Sequence, residues 1–162
     1  KCRAGDAVIG LASSGLHSNG YTLARNAFNE KELRGPIGRT LLRPTRIYTR
    51  TLLAAKKKIG IKAMAHITGG GFYDNIPRVI PEKYGVRVRK GSWPVPKIFK
   101  TIQDLGGVAE REMYRTLNMG IGMIAVVGAD EAARAIRVFS ALGQKAWVIG
   151  DLVSGNHEVV IA

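Results

Sequence analysis

Three short stretches of this sequence gather residue types that bind anions and move protons. The first is Ser13-Ser14-Gly15-Leu16-His17-Ser18-Asn19-Gly20-Tyr21, which puts hydroxyls, an imidazole and an amide in one run. It lies between an apolar segment and a helical pattern, where unpaired backbone N–H groups and the positive end of a helix dipole favour negative charge. A phosphate suits such a place. His17 has the one side chain there that titrates near neutrality, which makes it the candidate proton donor or acceptor. The competing reading is architectural: Ser18 or Asn19 caps the helix and the glycines make the turn. Spacing alone leaves both open.

The second stretch is His66-Ile67-Thr68-Gly69-Gly70-Gly71-Phe72. Glycines let backbone amides approach a ligand closely, yet this run has neither the Walker lysine nor the GxGxxG spacing. A tight turn without chemistry fits it as well, and His66, on the strand face opposite Ile67, reads as a hydrogen-bonded structural histidine. The third is Asn118-Met119-Gly120-Ile121-Gly122, where Asn118 offers an amide at a strand start. A bulge or bend at the sheet edge explains it equally. Asp6, Asp74, Asp104, Asp130 and Asp151 are scattered, so no metal site is expected. No nucleophile elbow and no cysteine–histidine pair at informative spacing is present, and His157 reads as structural.

The elements that must hold these stretches alternate in type. Ala7–Leu11 reads as a buried strand, and a helix with Leu23, Ala27 and Phe28 on one face follows until Gly35-Pro36 stops it. A second helix is expected from Pro44, carrying Tyr48, Leu52, Ala55 and Ile59, and closed by Gly60. Residues 61–67 alternate as a strand, and a short helix through Phe72 and Ile76 comes after the glycines. Residues 84–89 form a strand. Ile98, Phe99, Ile102 and Leu105 mark a helix, and another spans Glu110 to Leu117. Met123–Val127 is a strand, and Asp130 is expected to cap the helix of Ala132, Ile136, Phe139 and Leu142. Strands at 146–149 and 157–161 close the chain around a Gly155-Asn156 hairpin turn. The pattern predicts one α/β sandwich domain, a mixed sheet covered by helices.

Composition narrows the class. With 162 residues, 46% of them hydrophobic, the chain can bury a real core, and no apolar run approaches the ~20 residues that span a bilayer. The single cysteine excludes a disulfide scaffold and fits an intracellular protein. A start at Lys1 without methionine reads as a piece of something longer. The net charge of +13 makes polyanions the first partners to consider, whether nucleic acid, anionic membrane or phosphorylated metabolites. The cations are spread along the chain, however, and the one dense run, Lys56-Lys57-Lys58, sits where a helix C-terminus favours positive charge.

Together with Arg43-Pro44-Thr45-Arg46-Ile47-Tyr48, Gly91-Ser92-Trp93-Pro94-Val95-Pro96 and Met113-Tyr114-Arg115-Thr116, these stretches stand in the order of a known family. From near Gly5 to the last strand the chain resembles the C-terminal half of the phosphoribosylformylglycinamidine cyclo-ligases, also called aminoimidazole ribonucleotide synthetases. The resemblance implies a cytoplasmic enzyme of purine biosynthesis that uses ATP to close the imidazole ring of formylglycinamidine ribonucleotide, releasing ADP and phosphate. In the family's chemistry ATP activates the formyl oxygen as an iminophosphate, and the amidine-side nitrogen attacks that carbon. It implies acid/base or phosphate-stabilising work for His17, and substrate phosphate held by Ser13, Ser14, Ser18 and Asn19. Gly69, Gly70, Gly71 and Asn118 would line the same cleft.

The resemblance further implies that residues 1–162 are a single C-terminal domain. The acidic positions for Mg2+, most of the ATP site and the homodimer interface would belong to an N-terminal half not in this chain, and the chain alone should be inactive. Lys97 departs from the family, standing where many members carry a second proline. The related domain of formylglycinamidine ribonucleotide synthetase fits the Trp93 and Tyr114 motifs less well. A stand-alone anion- or nucleic-acid-binding module has only the charge behind it, and no stacked-aromatic RNA motif supports it.

Overall fold

The structure is a computed structural model that describes all 162 residues. In chain order the elements are β1 (Ala7–Ala12), α1 (Tyr21–Ala27), α2 (Glu30–Leu33), α3 (Pro36–Leu41), α4 (Thr49–Lys56), β2 (Ala63–His66), α5 (Gly71–Asn75), β3 (Tyr84–Val88), α6 (Lys97–Gly106), α7 (Glu110–Thr116), β4 (Ile121–Val127), α8 (Ala132–Ala141), β5 (Ala146–Ser154) and β6 (Val159–Ile161). Single 3-10 turns lie at Pro77–Val79 and Ala129–Glu131. The strands make one sheet in the order β2-β4-β1-β5-β3-β6. Only β3 with β6 is parallel; the other pairings are antiparallel. This is the expected mixed sheet covered by helices.

The central strands are apolar at nearly every position because both of their faces are covered. Along β1, Val8 enters one core while Ala7, Ile9 and Leu11 enter the other. β4 splits likewise, with Ile121, Ile124 and Val126 on the first side and Ala125 and Val127 on the second. Helices α1, α5, α6 and α7 roof the larger core through Ala24, Phe72, Phe99, Ile102 and Met113. Helices α4 and α8 roof the smaller through Ala55, Ala135 and Phe139. Asp6 anchors the chain just before β1: its carboxylate takes the Arg3 N–H at 2.7 Å and pairs with Lys62 at 2.6 Å.

Several boundaries differ from the sequence reading. Pro36 does not end a helix but opens α3 at its first turn, where a missing N–H costs nothing. Helix α4 starts at Thr49 rather than Pro44, because Arg43–Tyr48 is drawn out as a strap across the first motif. Asp130 lies within a 3-10 turn, and α8 begins after Glu131 with no side-chain cap. Leu105 is 57% exposed, outside the core that Phe99 and Ile102 enter.

β5 runs on to Ser154, and β5 and β6 are not a hairpin. The Gly155 N–H bonds the Lys83 carbonyl, and His157 Nε2 sits 2.8 Å from the Pro77 carbonyl and 3.2 Å from that of Ile80. These contacts carry the chain past β3, so β6 pairs on its far side. His157 is structural, as expected, but it precedes the strand.

Candidate functional site

The antiparallel pairing of β4 with β1 and β2 puts the C-terminal ends of β1 and β2 beside the N-terminal end of β4. The three predicted stretches follow or precede those ends, so all of them meet at one edge of the sheet. Gly69 and Asn19, fifty residues apart in sequence, are neighbours: a Cβ on Gly69 would stand 3.6 Å from Asn19 Oδ1.

The first stretch is a strained loop and not a capped helix start. The N-cap position of α1 is Gly20, at φ 71°, and no side chain caps it. Ser18 Oγ instead lies 3.3 Å from Thr45 Oγ1, and Asn19 Nδ2 donates to the His17 carbonyl at 2.8 Å. His17 and Ser18 are consecutive left-handed residues at φ 57° and 63°, and Met119 in the third stretch has φ 48°. These are three of the four non-glycine residues with positive φ; the fourth is the anchored His157. Each such residue costs ~1–3 kcal/mol and persists only where surroundings over-determine it, as at binding sites.

What over-determines this loop is visible. His17 is 3% exposed, and its Nε2 accepts the Ser14 N–H at 2.9 Å and the Arg46 N–H at 3.4 Å. Two fixed donors on Nε2 assign the ring proton to Nδ1. Nδ1 is buried without a partner. It faces Gly122, where a Cβ would stand 2.7 Å away and collide with the Tyr48 hydroxyl as well. Burial chiefly, then His66 and the Arg46 guanidinium, hold the ring's pKa down at about 4. His17 is therefore neutral at pH 7. The Ser14 hydroxyl donates to the Pro44 carbonyl at 2.6 Å, which fastens the strap down.

With the Ser13, Ser14 and His17 side chains engaged inside the protein, the backbone donors remain. The N–H groups of Gly15, Leu16, His17 and Ser18 have no partner in the protein, nor do those of Gly69 and Gly70. Successive unpaired backbone N–H groups form an anion-binding concavity. In the glycine loop, Gly71 is a packing residue: its N–H bonds the Thr68 carbonyl and a Cβ there would collide with the Tyr114 carbonyl. Asn118 is 1% exposed and points into the protein, accepting from the Ser13 hydroxyl at 3.1 Å and the Gly120 N–H at 2.8 Å. Its Nδ2 donates to the Gly15 carbonyl at 2.8 Å.

Four contributors went unread or misread in the sequence. Tyr48, assigned to a helix face, crosses to donate to the Ala12 carbonyl at 2.8 Å, and burial raises its phenol well above the ordinary value. His66 makes no side-chain hydrogen bond, against expectation; its ring lies 6.2 Å from His17 and 6.0 Å from Tyr48, and burial lowers its pKa. Arg46 reaches the buried Gln144 amide at 3.4 Å. Asn75 Nδ2 donates to the Gly71 carbonyl at 2.8 Å and to the Gly69 carbonyl at 3.1 Å. A proton-bearing cluster on separate elements has no sequence period, so only the runs Arg43–Tyr48 and His66–Phe72 touched any of these.

Trp93 supports the third stretch, donating to the Met119 carbonyl at 2.9 Å while stacking on Phe72 at 5.9 Å. A cleft of about 300 Å³ opens beside His66, lined by Thr45, Arg46, Tyr48 and Met123. The largest cavity, about 520 Å³, lies away from all three stretches, between Tyr73, Arg111 and β6.

No three His, Cys, Asp or Glu side chains converge as a metal ion would require. Near the glycine loop the acidic side chain is Asp74, which packs beneath Gly70. A magnesium ion wants several oxygens in an octahedron, so the residues of this chain do not fit one by themselves.

The family described as AIR synthase related protein, C-terminal domain, matches residues 3–162. A phosphoribosylformylglycinamidine cyclo-ligase of Pseudothermotoga lettingae is 50% identical over 169 residues, covering 99% of this chain and 50% of that protein. One from Thermoanaerobacter sp. is 48% identical, covering 97% of this chain and 49% of that protein. The chain thus spans about half the length of these relatives. The crystal structure of E. coli HypE superposes with a TM-score of 0.66 at 21% identity over all of this chain and 48% of that one, which establishes a shared fold. No helix is long and apolar enough to cross a membrane.

Proposed function

From the premise that this chain belongs to the AIR synthase related family as its C-terminal domain, we propose that it forms half of a phosphoribosylformylglycinamidine cyclo-ligase. The observation that carries the reading is the match of nearly the whole chain, at 48–50% identity, to proteins of that name. The reaction is ATP-dependent closure of the imidazole ring of formylglycinamidine ribonucleotide, with release of ADP and phosphate, in cytoplasmic purine biosynthesis. Magnesium, most of the ATP site and the homodimer interface fall to the N-terminal half.

The part proposed for this chain is phosphate recognition. The unpaired N–H groups of residues 15–18 and of Gly69 and Gly70 support it, with Asn19 beside Gly69 and the exposed Ser18 hydroxyl near Thr45. Fixed donors aimed at one place stabilise charge without reorganising as it develops. Ser13, Ser14, Gly71 and Asn118 shape the loops and take no direct contact. His17 holds the strap and loop together as a neutral ring. It stabilises the phosphate side of the reaction through the backbone it positions; a charged imidazolium acid is disfavoured by its surroundings.

The test is ADP formation that depends on formylglycinamidine ribonucleotide, measured with this chain alone and with the N-terminal half of a relative supplied in trans. Activity in the mixture only is the expected result. Failure of the mixture, with both parts folded and associated, would overturn the reading. A nucleic-acid-binding module is not favoured; were it correct, RNA or DNA binding would weaken steeply with salt.

A further inference from the structure

The six unpaired N–H donors lie on two loops, and each loop is gripped from inside the protein by one buried asparagine. Asn118 holds the first. Its single amide group accepts from the Ser13 hydroxyl and the Gly120 N–H and donates to the Gly15 carbonyl, so it ties the start of β4 to the end of β1. Asn75, 5% exposed, holds the second. Its Nδ2 faces the carbonyls of Gly71 at 2.8 Å, Gly69 at 3.1 Å and Thr68 at 3.4 Å, while Oδ1 lies 3.2 Å from the Thr68 hydroxyl.

Drawing a loop's carbonyls inward has a geometric consequence. Within one trans peptide the C=O and the following N–H point in opposite directions, so tethering the Gly15, Thr68 and Gly69 carbonyls to the asparagine amides turns the N–H groups of Leu16, Gly69 and Gly70 away from them. An amide suits this task because it donates and accepts at once. A buried carboxylate in the same shape could only accept, and would set its charge against the carbonyls it should bind.

We propose that Asn75 and Asn118 are a pair of positioning residues that pre-aim the backbone donors of the Gly69–Gly70 and Gly15–Ser18 loops at one anionic group, neither amide touching it. The proposal rests on the phosphate-binding reading for its ligand but not for the internal geometry. It reassigns Asn118 from the ligand side of the cleft to the protein side.

The experiment uses the isosteric variants Asn118→Asp and Asn75→Asp in the full chain, with amide hydrogen exchange and a titration with inorganic phosphate, both followed residue by residue by NMR. At pH 8 exchange at the hydrogen-bonded amides that flank each loop, Ser13 and Asn19 for Asn118→Asp and Gly71 and Asp74 for Asn75→Asp, should accelerate about tenfold, the scale of one lost buried hydrogen bond, while the amides of β1 and β4 stay protected. Phosphate affinity should fall by a similar factor. On acidification the introduced carboxyl, its pKa raised by burial, regains a proton, donates again, and returns both readouts to those of the native protein at the same pH.

Unchanged loop exchange, or loop loosening that acid does not reverse, would overturn the positioning role. If Asn118→Asp fails to fold, Ser13→Ala removes one tie to Asn118 and should loosen residues 13–18 alone; a normal loop there would also overturn it. Absence of phosphate shifts in the unmodified protein would strike at the phosphate reading, leaving exchange to decide the positioning role by itself.

Discussion

Lowering the pH should unfold this protein in part through His17, and the size of the effect follows from the site. An ordinary histidine titrates at 6.5, and in the fold His17 is held at about 4 because burial and the Arg46 and His66 charges oppose a second ring proton. Above pH 6.5 the ring is neutral in both states, and its contribution is fully present. Between 6.5 and 4 the unfolded chain takes up a proton that the folded one refuses, so stability falls as pH falls. At ~1.4 kcal/mol per pH unit, the loss relative to neutral pH is about 2 kcal/mol at pH 5 and about 3 kcal/mol below pH 4.

The assay is urea denaturation of the native protein and of His17→Gln from pH 8 to pH 4. Glutamine can offer Oε1 to the Ser14 and Arg46 N–H groups but cannot titrate. Every other group is common to both proteins, so the difference reports His17 together with its coupling to His66. The native protein should lose about 2 kcal/mol more than the variant between pH 8 and pH 5. Parallel profiles would refute the reasoning, as would an imidazolium signature for His17 in 15N spectra at pH 6.

Other perturbations probe the strain, the close packing and the anchor. Ser18→Gly should raise the urea midpoint, by up to ~1 kcal/mol of stability, since glycine accepts φ 63° freely; a loss of stability would mean that the Thr45 contact outweighs the strain. Gly71→Ala should cost upwards of ~2 kcal/mol, because φ 56° and the collision with the Tyr114 carbonyl act together. A neutral thermal melt would contradict that close approach. Asp6→Ala should destabilise by ~3 kcal/mol, by stranding Lys62 and the Arg3 N–H, whereas a shift within ±0.5 kcal/mol would show that water replaces the carboxylate.

Much of the fold was legible because it is local. The apolar runs of β1 and β4, the alternation of β2 and the helical spacing of Phe99 with Ile102 are periodic, and period is what a sequence records. The family, too, could be read from motif order alone. Two misplaced boundaries share one feature: a distant partner overrode a local signal. Pro44 looked like a helix start, but the Ser14 hydroxyl holds its carbonyl in the strap, and Gly155-Asn156 looked like a hairpin until His157 found Pro77 and Ile80 across β3.

The sequence by itself determined that three loops rich in glycine and hydroxyls lie at strand ends, and which family arranges them so. It could not say which atoms face a ligand. That was decided by pairing: with β4 antiparallel to β1 and β2, Asn118 lies beneath Gly15, Asn19 lies beside Gly69, and the His17 ring turns inward onto the N–H groups of Ser14 and Arg46. A side chain and the backbone donors next to it point different ways. Only the tertiary structure fixes which of them the protein consumes for its own cohesion and which it leaves unpaired.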